Sequence, residues 1–147
     1  MTETPEAHVD PLRAQFEAFK ALPRDEPAEM LNLVRFRETA AYPADHPLHG
    51  EGLTGAEAYA EYGRASAPVL ARVGGAILWR GDFRTVLIGP EAERWDAVFV
   101  ARYPTASAFL AMLTDPEYRE AVTHRQAAVL TSRLIRCAPA EEGAAFG

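Results

Sequence analysis

The chain has 147 residues, 48% of them hydrophobic and 24% charged, which is the ordinary range for a globular protein of one domain. A chain of this length buries a core without disulfides or metal. Its formal net charge is −6, with the acid spread along the sequence; neither a nucleic-acid backbone nor an anionic membrane is therefore an expected partner, since both need clustered Lys and Arg.

Residues 1–9, polar and acidic, read as a flexible N-terminus. The domain proper is expected over residues 10–137. Its first segment, residues 10–22, "DPLRAQFEAFKAL", predicts a helix with Asp10 as cap and Pro11 in the first turn. Leu12, Phe16 and Phe19 supply an apolar stripe at i, i+4 and i+7. "MLNLVRFR", from Met30 to Arg37, is short and rich in β-formers and reads as a strand. Residues 38–53 form a long loop, functional or mobile at that length.

"TGAE", from Thr54 to Glu57, is a capping box that opens the best-marked helix. Ala58, Tyr59, Tyr62, Ala65, Ser66, Val69, Leu70 and Val73 fall on one side of it. Pro68 lies off that stripe and is expected to bend the helix, and Gly74 and Gly75 end it. "AILWR" and "RTVLI" flank "GDF" in what reads as a hairpin. "WDAVFVARY" predicts a strand and "PTASAFLAML" a short helix. Asp115 and Pro116 start a further helix, and "SRLIRC" closes as a strand. Residues 138–147 read as a flexible tail.

The lone cysteine, Cys137, excludes an internal disulfide and fits a reducing compartment. The start lacks an apolar signal region, and no apolar run reaches membrane-spanning length. The expected location is the cytoplasm.

Without the first helix the order is strand, helix, strand pair, strand, helix, strand, close to the ferredoxin-like βαββαβ pattern. The segments "MLNLVRFR", "GAEAYAEYG", "VGGAILWRGD", "ERWDAVFVARYPTASAF" and "TDPEYREAVTHRQAAVLTSRLI" together resemble the 1330 family of domains of unknown function. The resemblance runs from Met30 to Cys137. It implies an α+β, ferredoxin-like protomer of the dimeric α+β barrel superfamily, carrying an extra N-terminal helix. That superfamily includes cofactor-independent monooxygenases, muconolactone isomerase-like enzymes and haem-dependent enzymes. The family itself brings no established reaction. What the resemblance implies is therefore a homodimer with a small-molecule pocket, running cofactor-independent oxygenation or isomerisation, or else serving as a non-catalytic binding module or sensor. No cofactor and no metal are expected.

Candidate residues follow from geometry. On the helix after Pro116, about 100° per residue places Ala121, Val122, Arg125 and Val129 on the same side as Tyr118. Gln126 and Ala128 fall at the edges of that face, and Arg119, Glu120, Thr123 and Ala127 outside it. Arg125 thus points along an apolar face, where an unpaired guanidinium is very costly. It must reach water, pair with a carboxylate such as Asp96, or hold an anionic or carbonyl-bearing ligand. His124 lands on the flank, four residues beyond Glu120, which reads as a surface pair before it reads as a base or a haem ligand.

Asn32 lies on the face of its strand with Met30, Val34 and Phe36, where a polar group needs partners. It bonds backbone or lines a pocket. In the monooxygenases that the resemblance brings in, an asparagine and a tryptophan line the pocket, and Trp79 and Trp95 are the candidates for the second part, although aromatics on strands are more often core. His46 and His49, in "HPLH", lack a helix and further ligands, so metal is disfavoured.

Overall fold

The computed structural model describes residues 4–143 and 145–146. Strands β1 (Ala28–Phe36), β2 (Ala76–Gly81), β3 (Ala97–Tyr103) and β4 (Val129–Cys137) form one antiparallel sheet in the order β2-β3-β1-β4. Helices α2 (Gly55–Arg72), α3 (Ala106–Thr114) and α4 (Pro116–Ala128) complete a ferredoxin-like α+β domain, and α1 (Arg13–Ala21) precedes it. No helix among the described residues is long and apolar enough to cross a membrane.

The start signals work as their chemistry predicts. Thr54 Oγ1 accepts from the Glu57 amide at 3.1 Å, and the Thr54 amide donates to the Glu57 carboxylate at 3.0 Å, a closed capping box. Asp115 accepts from the Glu117 amide at 2.8 Å, with Pro116 in the first turn of α4. Helix α2 ends at Arg72, and Gly74 just beyond it has φ 81°, the left-handed turn that glycine adopts without strain. Arg72 then ties the two helices together, donating to both Asp115 and Glu117 at 2.8 Å.

Two expectations about starts and pairings fail. Helix α1 begins behind Leu12 without any side-chain cap; Asp10 instead accepts from the Gln126 side chain at 3.2 Å. The hairpin around "GDF" does not form: β2 pairs with β3, with a bulge between Ile77 and Trp79. Residues 84–88 are not a strand, and Leu87 and Ile88 are 91% and 93% exposed. Strand β2 is the sheet edge and its outer side is left unpaired among the described residues, so this β-forming run does not take the ladder beside it and its propensity goes unused.

The alternation of β1 separates the sheet into two faces. Ala28, Met30, Asn32 and Val34 lie under the helices and are buried. Core clusters form around them: Met30, Val69, Ala101, Tyr103, Phe109 and Tyr118 at one end, and Val34, Tyr42, Ala58 and Val129 at the other. On the opposite face, register aligns Ile135, Leu31, Val100 and Trp79 in one row across all four strands. No helix covers that row: Trp79 is 55% exposed and Ile135 44%.

The segment before α1, expected to be loose, is held along β4 and α4. Thr131 Oγ1 donates to the Glu6 carbonyl at 2.9 Å, and Ser132 Oγ donates to the His8 carbonyl at 2.7 Å. The long loop of residues 38–53 is also pinned, its Ala41 amide donating to the Ala127 carbonyl at 2.8 Å.

Candidate functional site

Between the helix-covered face of the sheet and helices α1, α2 and α4 lies an open cavity of about 1270 Å³. Asn32, Tyr59, Tyr62, Phe99, Tyr118 and Arg125 are among its lining residues. One cross-strand row of the sheet floor runs Leu134, Asn32, Phe99, Arg80. Asn32 thus sits at mid-floor between two apolar neighbours. Its Nδ2 donates to the Met30 carbonyl at 3.0 Å, so it both bonds backbone and lines the cavity.

The wall opposite is phenolic. Tyr59 and Tyr62 share a face of α2 three residues apart, and Tyr118 meets them from α4. The Tyr62 and Tyr118 hydroxyls lie 2.8 Å apart, and the Tyr59 and Tyr62 ring centroids 5.4 Å. Burial raises the pKa of all three phenols well above the usual tyrosine range, so they remain protonated donors at neutral pH. Nearby Arg125 opposes that shift in each, which places its charge on this wall.

Arg125 points inward as the helical wheel predicts, but its partners are not the expected carboxylate. One Nη donates to the Val9 carbonyl and the other to Ser132 Oγ at 3.1 Å. Asp96, the carboxylate singled out from sequence, accepts from the Phe36 amide at 2.8 Å. Helix α4 also buries Ala127 and Ala128, on a side that the wheel leaves outside or at the edge of the apolar face. The loop of residues 38–53 packs there, so α4 is covered on two sides and its burial is wider than one stripe.

That loop explains His124. Its Nδ1 lies 2.7 Å from the Tyr42 hydroxyl, so its partner is Tyr42 rather than Glu120. His46 accepts the Leu48 amide on Nδ1 at 3.0 Å, which leaves Nε2–H to donate to Thr123 Oγ1 at 3.1 Å. His49 bonds the Tyr42 carbonyl at 2.8 Å. Burial, and then the nearby His46, lower the His124 pKa below its ordinary range. His46, Thr123 and His124 line a separate, smaller pocket of about 680 Å³, and no residue of the loop lines the main cavity.

The structure therefore brings Asn32 and Arg125 together and leaves the other candidates outside. Trp79 lies on the uncovered sheet face. Trp95 is buried beneath Arg133, whose guanidinium carbon is 5.6 Å from the ring centroid. Neither tryptophan lines the cavity. Sequence reasoning missed the tyrosine wall as a unit. Its signal was present, two tyrosines on the apolar stripe of α2 and one at the centre of the α4 face, but side-chain periodicity does not say which two helices meet.

Comparison with known proteins places this architecture. Two crystal structures of the RPA0582 protein of Rhodopseudomonas palustris, a protein of unknown function, share 53% and 52% identity with the chain. Each covers 93% of it with a TM-score of 0.86, and the chain covers 98% and 100% of theirs. A cofactor-independent oxygenase from Streptomyces nogalater is 17% identical over 80% of this chain and 96% of its own, with a TM-score of 0.48. No curated protein matches the chain. A family model described as "Domain of unknown function (DUF1330)" matches residues 51–136, from the end of the long loop through α2, β2, β3, α3 and α4 to Arg136 in β4, with β1 lying before it. More than half of the chain fits that model, and the close relatives cover nearly all of it: the protein belongs to the DUF1330 family.

Proposed function

We propose that this protein is a homodimer that binds a small, flat organic molecule bearing oxygen acceptors, each protomer using its own cavity. The observation that carries the reading is the pairing of an apolar, aromatic floor with a wall of protonated phenols, in a cavity of about 1270 Å³. Cavities of this type bind by enclosing apolar surface and fix orientation with a few placed polar groups. Tyr59, the Tyr62–Tyr118 pair, Asn32 and Arg125 are those groups. Binding is favoured over oxygenation or isomerisation. The phenols are held protonated, and His124, the side chain best suited to take a proton near neutrality, faces the smaller pocket.

The uncovered sheet face supports the dimer. A row of Ile135, Leu31, Val100 and Trp79 left in water is a large apolar patch, and a second copy laying the same face against it would form the shared interior of a barrel. In that arrangement Trp79 belongs to the interface.

Screening purified protein with quinols, lactones and aromatic acids by ligand-observed and protein-observed NMR tests the reading. Saturable binding, with the ligand recovered unchanged and Tyr59 and Tyr62 resonances shifted, supports it. Measured turnover replaces it with the catalytic reading, and silence across all three classes overturns both.

A further inference from the structure

The acids and cations of the main cavity are not distributed alike. Asp10, Asp82 and Asp96, which line it, are all solvent-exposed. Of the five arginines that also line it, Arg64, Arg80 and Arg133 are exposed too, but Arg125 and Arg136 are half-buried. Each of the latter two is bonded only to neutral acceptors. Arg125 donates to the Val9 carbonyl and to Ser132 Oγ, and Arg136 to the Pro23 carbonyl at 2.6 Å. Among the described residues no carboxylate lies within ion-pair distance of either.

A guanidinium has five N–H donors, and two of those on Arg125 are used. Arg136 is more constrained still. It stacks on the Phe19 ring, 5.0 Å from the centroid, and its Nη1 is buried with no hydrogen-bond partner. Removing a cation from water without a counter-ion is costly, and so is orphaning a buried donor. Both residues project to the cavity side, Arg136 from β4 and Arg125 from α4 next to Ser132 of the same strand. The cavity wall therefore carries two half-buried guanidinium groups, neither of them paired with a carboxylate.

We infer that the main cavity selects organic anions, and that Arg125 receives the carboxylate of an aromatic or cyclic acid. The inference rests on the small-molecule reading above and adds the charge of the ligand to it. The free N–H groups of Arg125 lie on the same wall as the Tyr59, Tyr62 and Tyr118 phenols, so a carboxylate there accepts charge-assisted bonds while its ring packs on Phe99 and the tyrosines. Arg136 is the secondary cation, acting at longer range from the other end of the β4 floor.

Matched acid–amide pairs of equal shape test this: benzoate and benzamide, 2-naphthoate and 2-naphthamide, 4-biphenylcarboxylate and its amide, each titrated into the full chain. At least one acid should bind about tenfold or more tighter than its amide. Arg125→Gln should erase that preference by weakening the acid alone, and Arg136→Gln should reduce it by roughly threefold. In the wild-type protein the Arg125 Nε–H resonance should move with the acid and not with the amide, which reads the contact even if the variant folds poorly. Equal binding of acid and amide, with Arg125→Gln changing only thermal stability, overturns the inference: Arg125 is then a clamp for the N-terminal segment, and the small-molecule reading stands. No binding of any member of the three pairs overturns the inference alone; the small-molecule reading falls with it only if quinols and lactones are silent too.

Discussion

The two faces of the sheet are built from the same kinds of residue and do opposite things. Under the helices, Ala28 and Val34 have no exposure and Met30 only 2%, and the space they leave is a cavity with polar groups at fixed places. On the other face, Leu31, Leu33, Val98 and Val100 are as apolar but only half-buried, flanked by exposed Trp79 and Ile135. Polarity does not distinguish the faces; shape and polar placement do. The helix-covered side carries Asn32, tyrosines and arginines around a void. The uncovered side is a flat apolar row, the form that a self-complementary interface needs.

The sharpest way to break this comparison is Leu31→Asp. A carboxylate at the centre of the uncovered row should cost at least about 3 kcal/mol of dimerisation and give a folded monomer. Light scattering at micromolar concentration, with circular dichroism as the control for folding, checks it; a dimer that survives the change removes the flat face from the interface. One strand position on the opposite parity gives the converse. Val34→Ala, in a fully buried site, should cost about 2 kcal/mol of unfolding free energy in denaturant titrations and leave the oligomeric state alone. Tyr62→Phe comes next. It leaves the buried Tyr118 hydroxyl without its partner, for about 1 kcal/mol of stability, and it should alter ligand binding while Leu31→Asp does not.

The smallest effect is expected off both faces, where the long loop meets α4. His124 has a folded pKa below the ordinary 6.5, so the unfolded chain takes up this proton more readily than the folded one. Stability from this site is complete above 6.5 and is lost progressively as pH falls through the lower, folded value. Exchange of the Ala41 amide, corrected for intrinsic rates, should therefore speed up between pH 7.5 and pH 5, while the Asn32 amide at mid-sheet stays protected. An unchanged Ala41 rate would detach the histidine cluster from the pinning of the loop.

Much of this organisation was legible in the sequence, and the parts that were not share a cause. The capping box at Thr54, the Asp-Pro start at Asp115 and the alternation of β1 are local, and all three read correctly. The resemblance of five linked segments added the topology. What failed depended on partners far away in the chain. "RTVLI" has strand propensity but sits beyond a sheet edge. Asp10 caps nothing because Gln126, 116 residues on, takes it. Arg125 was placed inward correctly, yet its acceptors come from Val9 and Ser132, which no helical wheel contains. His124 read as a surface residue because Tyr42 and His46 reach it from a loop without periodicity.

Helix α4 ends at Ala128 and β4 begins at Val129, with no residue between them. The junction has no slack in which to absorb a length change. Inserting one residue there, with the β4 pairing extended from its N-terminal end, would swap the two sides of the strand. Ser132 and Arg136 would turn outward to the uncovered face, and the cavity would lose both. One insertion would then damage the proposed ligand site and the proposed subunit contact together. In this family the spacing from Arg125 to Ser132 should tolerate substitution far better than it tolerates an insertion or a deletion.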